Sequence, residues 1–140
     1  MSTITFNVPG QPYGKGRPRV GNVRGRARMF TPEKTVSYEN KVAFVAQQAM
    51  AGAALIEGAV DVSLFIVCQI PASWSKKKQA AATAGAIFPT TKPDIDNIEK
   101  IIYDAINGVV WKDDVQVVDV KKVKRYGPVP GVNVRIEVLS

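Results

Sequence analysis

Four aspartates in the second half of the chain are the residues best suited to chemistry. Asp94 and Asp96 are two residues apart, and Asp113 and Asp114 form an adjacent pair further along. Carboxylates held close together repel one another unless a cation lies between them. They are hard oxygen ligands, and the chain has no histidine and only one cysteine. The set is therefore suited to Mg²⁺ or Mn²⁺, which activate water and phosphate groups.

A helix predicted over 94–107 positions the first pair. Because proline disfavours helix in the residue before it, the helix begins no earlier than Pro93, with Asp96 in the first turn. Residues two apart on an ideal helix point about 200° away from each other. Asp94 and Asp96 therefore converge only if Asp94 is still in the non-helical start. Lys100 lies four residues after Asp96 on the polar side, where its charge would stabilise a phosphate transition state.

Each of these residues also has an ordinary structural interpretation. Asp94 can be a helix N-cap, and Asp96 a favourable first-turn charge. Asp96 and Lys100 can be a surface ion pair worth about 0.3–0.5 kcal/mol, and the second aspartate pair a polar turn. A shared metal site requires the chain to return so that Asp114 lies beside the helix start. Spacing alone leaves both interpretations open.

The chain is strongly basic, and much of its charge lies near the start. Its 140 residues carry a net charge of +7 with a pI near 9.7, which favours a polyanionic partner. No acidic residue precedes Glu33, whereas six basic residues fall within fourteen positions: Lys15, Arg17, Arg19, Arg24, Arg26 and Arg28. We expect these six to contact DNA phosphates. The lack of histidine excludes Ser-His-Asp and Cys-His catalysis and any His-ligated zinc site.

Hydrophobic periodicity predicts a single α+β domain over 1–140. Its economical arrangement is a mixed β-sheet with two main α-helices packed on one face. The predicted strands are 3–8, 59–70, 115–123 and 132–139. One main helix is predicted over 94–107, and the other runs from Thr31-Pro32 to about Gly52. The apolar stripe of this other helix is Tyr38, Val42, Val45, Ala49 and Ala53.

Three other features complete the predicted organisation. Residues 9–30 are predicted to be a basic loop or arm, and residues 72–88 an insertion containing a short surface helix. Cys68 is predicted to be a buried, inert thiol. No apolar run reaches the roughly 20 residues of a membrane span, and the first residues do not have the pattern of a signal peptide.

The motifs resemble the RusA family of Holliday junction resolvases. Its acidic motif is similar to Lys92-Pro93-Asp94-Ile95-Asp96-Asn97-Ile98-Glu99-Lys100, Asp104-Ala105-Ile106-Asn107-Gly108 and Trp111-Lys112-Asp113-Asp114-Val115-Gln116-Val117. The starting segments of many members are similar to Pro9-Gly10-Gln11-Pro12, Lys15-Gly16-Arg17-Pro18-Arg19, Phe30-Thr31-Pro32 and Tyr38-Glu39. The resemblance spans most of the chain apart from 72–88, which is longer than the corresponding part of compact members.

The resemblance implies a homodimeric, Mg²⁺-dependent endonuclease acting on branched DNA in recombination and repair. Asp94, Asp96 and Asp114 match the family's catalytic, metal-binding aspartates, and Lys100 matches its active-site lysine. Asn97 and Asp113 are expected to support the site, and Mn²⁺ is expected to substitute for Mg²⁺. The resemblance also implies a cytoplasmic protein of a bacterium or prophage, with no membrane association and no organic cofactor.

Two other functions fit the same residues. One is a non-catalytic nucleic-acid-binding protein in which the acidic residues only cap and bridge. The other is a metal-dependent nuclease or phosphatase acting on flaps, single strands or nucleotides. Tyr13 and Phe30 are candidates for stacking at the centre of a DNA junction, although a phenylalanine in such a position is more often part of the core.

Overall fold

The computed structural model describes residues 2–15, 19–30 and 32–140, and within them ten elements of regular structure. In chain order these are β1 (Thr3–Pro9), β2 (Arg19–Val23), β3 (Arg26–Phe30), α1 (Glu33–Met50), β4 (Val60–Gln69), α2 (Lys76–Thr83), α3 (Ile95–Ile106), a 3₁₀ turn (Asp114–Gln116), β5 (Val117–Gly127) and β6 (Gly131–Val138). Four strands form one sheet in the order β1-β6-β4-β5. Because β6 is antiparallel to β1 and β4 while β5 is parallel to β4, the sheet is mixed, as predicted.

Helices α1 and α3 supply the apolar layer that covers one face of the sheet. The helices bury Tyr38, Val42, Ala46 and Met50 of α1 and Ile98, Ile101, Ile102, Ala105 and Ile106 of α3. The sheet contributes Val62, Leu64 and Ile66 of β4 and Val132, Val134 and Ile136 of β6 to the same core. The apolar side chains that recur every 3.6 residues on the helices thus pack against those that recur every 2 residues on the strands. This arrangement confirms the predicted α+β fold.

The apolar stripe of α1 differs slightly from the predicted one. Val45 and Ala49 are only half-buried, and Ala53 is exposed. The helix ends at Met50, and its C-cap residue Ala51 adopts a left-handed conformation with φ of 49°. Ala53 therefore lies beyond the helix and cannot continue its buried face. Pro32 occupies the N-cap position without a side-chain cap bond, and Thr31, the predicted cap, lies outside the described residues.

Residues 9–30 are not simply the predicted loop or arm. Strands β2 and β3 pair antiparallel, from Arg19 opposite Phe30 to Val23 opposite Arg26. Arg24 and Gly25 connect the strands, and both have positive φ, 53° and 76°. A two-residue turn in which both residues have positive φ matches the right-handed twist of the two strands that it connects. The prediction was wrong here because arginine at the first turn position is not a recognisable hairpin signal.

Several other predictions are confirmed with small shifts. Helix α3 and the short surface helix α2 form where predicted. The predicted strand over 115–123 begins at Val117, because the preceding residues form the 3₁₀ turn. Cys68 is 5% exposed, and burial raises the pKa of its thiol. Within the described residues, no helix has the length and apolarity needed to cross a membrane.

Candidate active site

Asp94 occupies the non-helical position at the start of α3. Its φ of −79° and ψ of 161° are extended, as convergence with Asp96 requires, and Ile95 is the first helical residue. The side chain of Asp94 makes no capping hydrogen bond, and the residue is exposed. An N-cap role therefore does not account for this carboxylate.

The chain returns from α3 through a loop built on Trp111, which is fully buried. The indole Nε1 of Trp111 donates a hydrogen bond to Oδ1 of Asn107 at 2.6 Å. Nδ2 of Asn107 in turn donates to Oδ2 of Asp114 at 3.5 Å. Asn107 thus connects the buried ring to the carboxylate. The sequence pattern predicts Asn107 only as the end of the helix and does not predict this role, although an amide four residues before a tryptophan is a visible signal.

Asp96 and Asp114 line one open cleft of about 430 Å³, the acidic cleft. Its lining consists of Asp96, Glu99, Lys100, Tyr103, Asp104, Asp114 and Val117. Lys100 lies in it with the two aspartates, as the sequence predicted for a residue one turn after Asp96. Asp94 lines a neighbouring cleft of about 630 Å³ together with Lys92, Pro93 and Asn97.

The carboxylate oxygens of this region are suitable ligands for a hard divalent cation. Within the described part of one chain, however, three carboxylates are not brought close together. Among the described residues, no three carboxylates lie close enough to hold a metal ion. Asp114 contacts Asn107, which is eleven residues after Asp96 and therefore about 16 Å further along the helix axis. The chain thus returns beside the end of α3, not beside its start as the predicted metal site required. Asp96 and Asp114 share a cleft, and Asp94 lies next to it.

Lys122 of β5 is a second cation at the cleft, which the sequence analysis missed. Its Nζ lies 2.9 Å from Oε1 of Glu99 and 3.8 Å from Oδ1 of Asp96. The ion pair of Asp96 in the described chain is therefore with Lys122 rather than with Lys100. Alternation along β5 puts Lys122 on the face that carries α3, but its contact with α3 follows from the pairing of β5 with β4, which is not local information.

Tyr103 contributes a buried hydroxyl to the acidic cleft. Within the described residues this hydroxyl forms no hydrogen bond of good geometry. Burial, together with the nearby carboxylates of Glu99 and Asp114, strongly raises its pKa. The phenol therefore stays protonated beside the Glu99 carboxylate. The Tyr103 ring packs edge-on against Trp111, with centroids 5.3 Å apart.

The loop before β2 is fastened to α1 and α3. The backbone N–H of Lys15 donates to the carbonyl of Asn97 at 3.1 Å, and a Cβ on Gly14 would lie 3.1 Å from that of Asn97. Nζ of Lys15 lies 3.0 Å from both Glu39 and Asp104. Desolvation alone would lower the pKa of Lys15, but these two carboxylates outweigh it and raise the pKa. Lys15 and Asn97 thus hold the loop against the start of α3.

The other predicted DNA-contacting residues lie mainly on the β2–β3 hairpin. Arg24 and Arg26 are exposed there. Arg17 lies outside the described residues, and so do the side chains of Arg19, Arg28 and Phe30. Tyr13, the other candidate for stacking, packs against Tyr38 with ring centroids 5.7 Å apart, and its hydroxyl lies 3.3 Å from Oγ1 of Thr35.

Asp113 stabilises the turn that carries Asp114. Its side chain accepts a hydrogen bond from the backbone of Gln116, and the Gln116 side chain accepts bonds from the backbone N–H groups of Lys112 and Asp113 at 3.0 and 3.1 Å. The Gln116 amide also donates to the carbonyl of Ile56 at 2.8 Å. This reciprocal capping ties the turn to the body of the domain. Asp113 thus orients the backbone beside Asp114.

Comparison with known proteins identifies the family of the chain. The family model described as "Endodeoxyribonuclease RusA" matches residues 9–137, nearly the whole chain. A Bacillus subtilis (strain 168) protein described as "Uncharacterized protein YqaN" is 41% identical over 143 residues, covering 100% of this chain and 99% of the relative. The match includes both the start of α3 and the return loop, where the aspartates lie. The chain belongs to the RusA endodeoxyribonuclease family.

Proposed function

We propose that this protein resolves four-way DNA junctions by metal-dependent hydrolysis of phosphodiester bonds. The observation that carries the proposal is the acidic cleft, in which Asp96 and Asp114 lie together with Lys100 in a chain of the RusA family. Each matches a residue of the family's acidic motif. The exposed carboxylate of Asp94, which has no capping bond, adds a third acid beside the cleft.

In this proposal Asp94, Asp96 and Asp114 would hold Mg²⁺, for which Mn²⁺ would substitute, after a rearrangement that brings the three carboxylates closer together than they lie in the described part of the chain. When bound, the ion supplies the Lewis-acid chemistry that a histidine-free chain otherwise lacks. Lys100 stabilises the negative charge that develops on the phosphate. Asn107 holds Asp114 in place through its 3.5 Å contact, and Asn97 fixes the loop beside Asp94.

A homodimer is part of the proposal, and it has a physical reason. A four-way junction has approximate two-fold symmetry, and its resolution needs two matched cuts. A two-fold dimer presents two identical clefts to such a substrate. The exposed arginines of the β2–β3 hairpin would add phosphate contacts that are independent of DNA sequence and sensitive to salt. The same proposal implies a cytoplasmic protein that acts in recombination and repair.

Cleavage is expected to require both a junction and a divalent cation. Purified protein is incubated with an end-labelled four-way junction and with a linear duplex of the same sequence, each with Mg²⁺ and with EDTA. We expect paired, symmetric nicks in the junction with Mg²⁺ alone, and little cutting of the duplex. Cuts are mapped on denaturing gels.

The other outcomes identify the alternatives. Metal-dependent cutting of flaps or single strands with no preference for the junction would favour a nuclease of broader specificity. Junction binding without cleavage of any substrate in Mg²⁺ or Mn²⁺ would favour a non-catalytic binding protein, and the proposal would be wrong.

Lys122 and Lys100 are expected to affect cleavage in different ways. Lys122→Gln removes the cation nearest Asp96 and Glu99, so the cleft becomes more negative and attracts a divalent cation more strongly. We expect the Mg²⁺ concentration for half-maximal cleavage to fall about two- to fivefold, as for loss of one partly exposed charge pair. Single-turnover cleavage rates over a Mg²⁺ titration measure this shift.

Lys100→Gln is the matched comparison for Lys122→Gln, because it removes the same charge from the other side of the cleft. We expect the rate at saturating Mg²⁺ to fall about tenfold or more, with a smaller change in the Mg²⁺ requirement. If Lys122→Gln leaves the Mg²⁺ titration where it is in the wild type, Lys122 does not compete with the cation for Asp96.

A further inference from the structure

Helix α2, which lies in the predicted insertion 72–88, begins with an exposed basic turn. Lys76, Lys77 and Lys78 form the first turn of α2, and all three are exposed. No acidic residue occurs between positions 61 and 94 of the sequence. Among the described residues, none of these three lysines forms an ion pair. These three residues are named the α2 basic surface below.

Strand β5 connects the acidic cleft with the segment before Asp94. Lys122 and Lys124 are two residues apart and point to the same face of the sheet. Nζ of Lys122 lies 2.9 Å from Glu99 in the cleft. Nζ of Lys124 donates to the carbonyls of Thr91 and Pro93 at 2.8 and 2.9 Å. The segment that carries Lys92 is therefore held against β5 next to the cleft.

The same strand face continues to α2. The Tyr126 ring packs edge-on against Trp74, with centroids 5.3 Å apart. The carbonyl of Trp74 accepts a hydrogen bond from Nε2 of Gln79 in α2 at 2.8 Å, and Nζ of Lys78 lies 4.0 Å from the centroid of the Trp74 ring. Lys122 and Tyr126 are four residues apart, which is about 13 Å along a strand. The strand thus sets the distance from Lys122 at the acidic cleft to Tyr126, which packs against Trp74 beside α2.

The charge pattern of α2 opposes its own helix dipole. The N-terminus of a helix carries a partial positive charge and favours acidic residues. The first turn of α2 has none and carries three lysines instead, while the Ser75 side chain accepts the capping bond from the N–H of Lys78 at 3.2 Å. This pattern is unfavourable for the helix alone and becomes favourable when an anion lies over the first turn.

We propose that the α2 basic surface binds the phosphate backbone of the DNA duplex that extends from the acidic cleft. Phosphates of one strand are about 3.4 Å apart along the duplex axis, so the spacing of about 13 Å between Lys122 and Tyr126 corresponds to about four nucleotides, and the α2 basic surface lies beyond Tyr126. The inference rests on the proposed function, because it takes the acidic cleft as the position of that bond. It gives the segment 72–88 a role that the acidic motif does not include.

The test compares wild type with the variant Lys76→Gln/Lys77→Gln/Lys78→Gln. Junction affinity is measured in EDTA, which prevents cleavage, over 50–200 mM salt. Because each lost phosphate contact lowers the salt slope by about 0.9, we expect the slope to fall by about two to three and binding at 0.1 M salt to weaken at least about tenfold. Hydroxyl-radical footprints should lose protection about four or more nucleotides from the cut site. Cleavage by saturating protein should stay within about twofold of wild type.

Two control variants separate charge at this surface from other effects. Lys34→Gln/Lys121→Gln/Arg135→Gln removes three charges from exposed positions elsewhere and should change the salt slope by less than one. Lys76→Arg/Lys77→Arg/Lys78→Arg keeps the charge of α2 and should bind as wild type does. The inference would be overturned if the control variant with three substitutions outside α2 lost as much junction binding as the glutamine variant of α2, or if the arginine variant of α2 lost junction binding.

The two proposals fail in different ways. If the glutamine variant of α2 binds with wild-type affinity and salt slope while cleavage is normal, the α2 basic surface does not bind DNA and the proposed function stands. If wild-type protein cleaves nothing but the variant still loses affinity and slope, the surface is a DNA-binding site and the proposed nuclease activity is wrong.

Discussion

Replacing Asp96 by asparagine is expected to reduce junction cleavage at least about a thousandfold and to leave junction binding unchanged or tighter. Loss of a metal-binding carboxylate removes several kcal/mol of transition-state stabilisation, and each 1.36 kcal/mol is a factor of ten in rate. Binding does not suffer, because the substitution removes a negative charge that repels DNA. The Asp96 side chain is 87% exposed and its ion-pair contact with Lys122 is 3.8 Å long, so the free energy of unfolding should change by no more than about 0.5 kcal/mol.

Asp119→Asn is the matched control for Asp96→Asn. Asp119 is an exposed aspartate of β5, so the charge change is the same, but it does not line the acidic cleft. Single-turnover cleavage and junction affinity are measured for both variants, and Asp119→Asn should behave as wild type. Wild-type cleavage rates in Asp96→Asn would contradict the proposed site and leave a binding role for these acids. Asp94→Asn and Asp114→Asn, tested in the same way, identify the other carboxylates of the site.

The parts of the site that the sequence predicted depend on local signals. Helix α3 has an apolar stripe with the helical period and a proline before its first aspartate, so its start and its polar side follow from neighbouring residues alone. The same local information placed Asp96 and Lys100 on one side of the helix. The strands of the main sheet followed from runs of β-branched residues in the same way.

The parts that the sequence did not predict depend on contacts between distant segments. Lys122 reaches the acidic cleft because β5 pairs parallel with β4, in a register that puts Leu64 opposite Lys122. The position of Asp114 depends on how the return loop turns after Gly108, which has φ of 80°, and on the hydrogen bonds of Asn107. Neither register nor loop path can be read from residue types alone. The predicted positions of these acids on α3 and in the return loop follow from local signals, while their separation along α3 does not.

Trp111→Ala is expected to lower the free energy of unfolding by about 3–5 kcal/mol, the range for truncation of a large buried aromatic residue. Trp111 is fully buried, packs edge-on against Tyr103 and donates a hydrogen bond from Nε1 to Oδ1 of Asn107 at 2.6 Å, and alanine loses all of these side-chain contacts. Such a loss is a large part of the 5–15 kcal/mol of a typical domain. Equilibrium urea unfolding measures it. Trp74→Ala, at a half-buried position, should cost about 1 kcal/mol or less.

Trp111→Phe separates the packing of this ring from its hydrogen bond. The variant keeps an aromatic ring against Tyr103 but removes the Nε1 donor, so Oδ1 of Asn107 loses its partner at a cost of about 1–3 kcal/mol. The Asn107 amide is then free to rotate, and Asp114 loses the 3.5 Å contact that orients it. We expect cleavage to fall about tenfold or more while the fold remains intact.

A double-mutant cycle tests whether Trp111 acts on Asp114 through Asn107. If it does, Asn107→Ala alone should reduce cleavage as much as Trp111→Phe, and the double variant should be little worse than either, because both remove the same connection. Additive losses in cleavage would mean that the two residues act independently. Unchanged cleavage in a folded Trp111→Phe variant would mean that Asp114 keeps its position without this hydrogen bond, and that the 3₁₀ turn capped by Asp113 and Gln116 is sufficient to hold it.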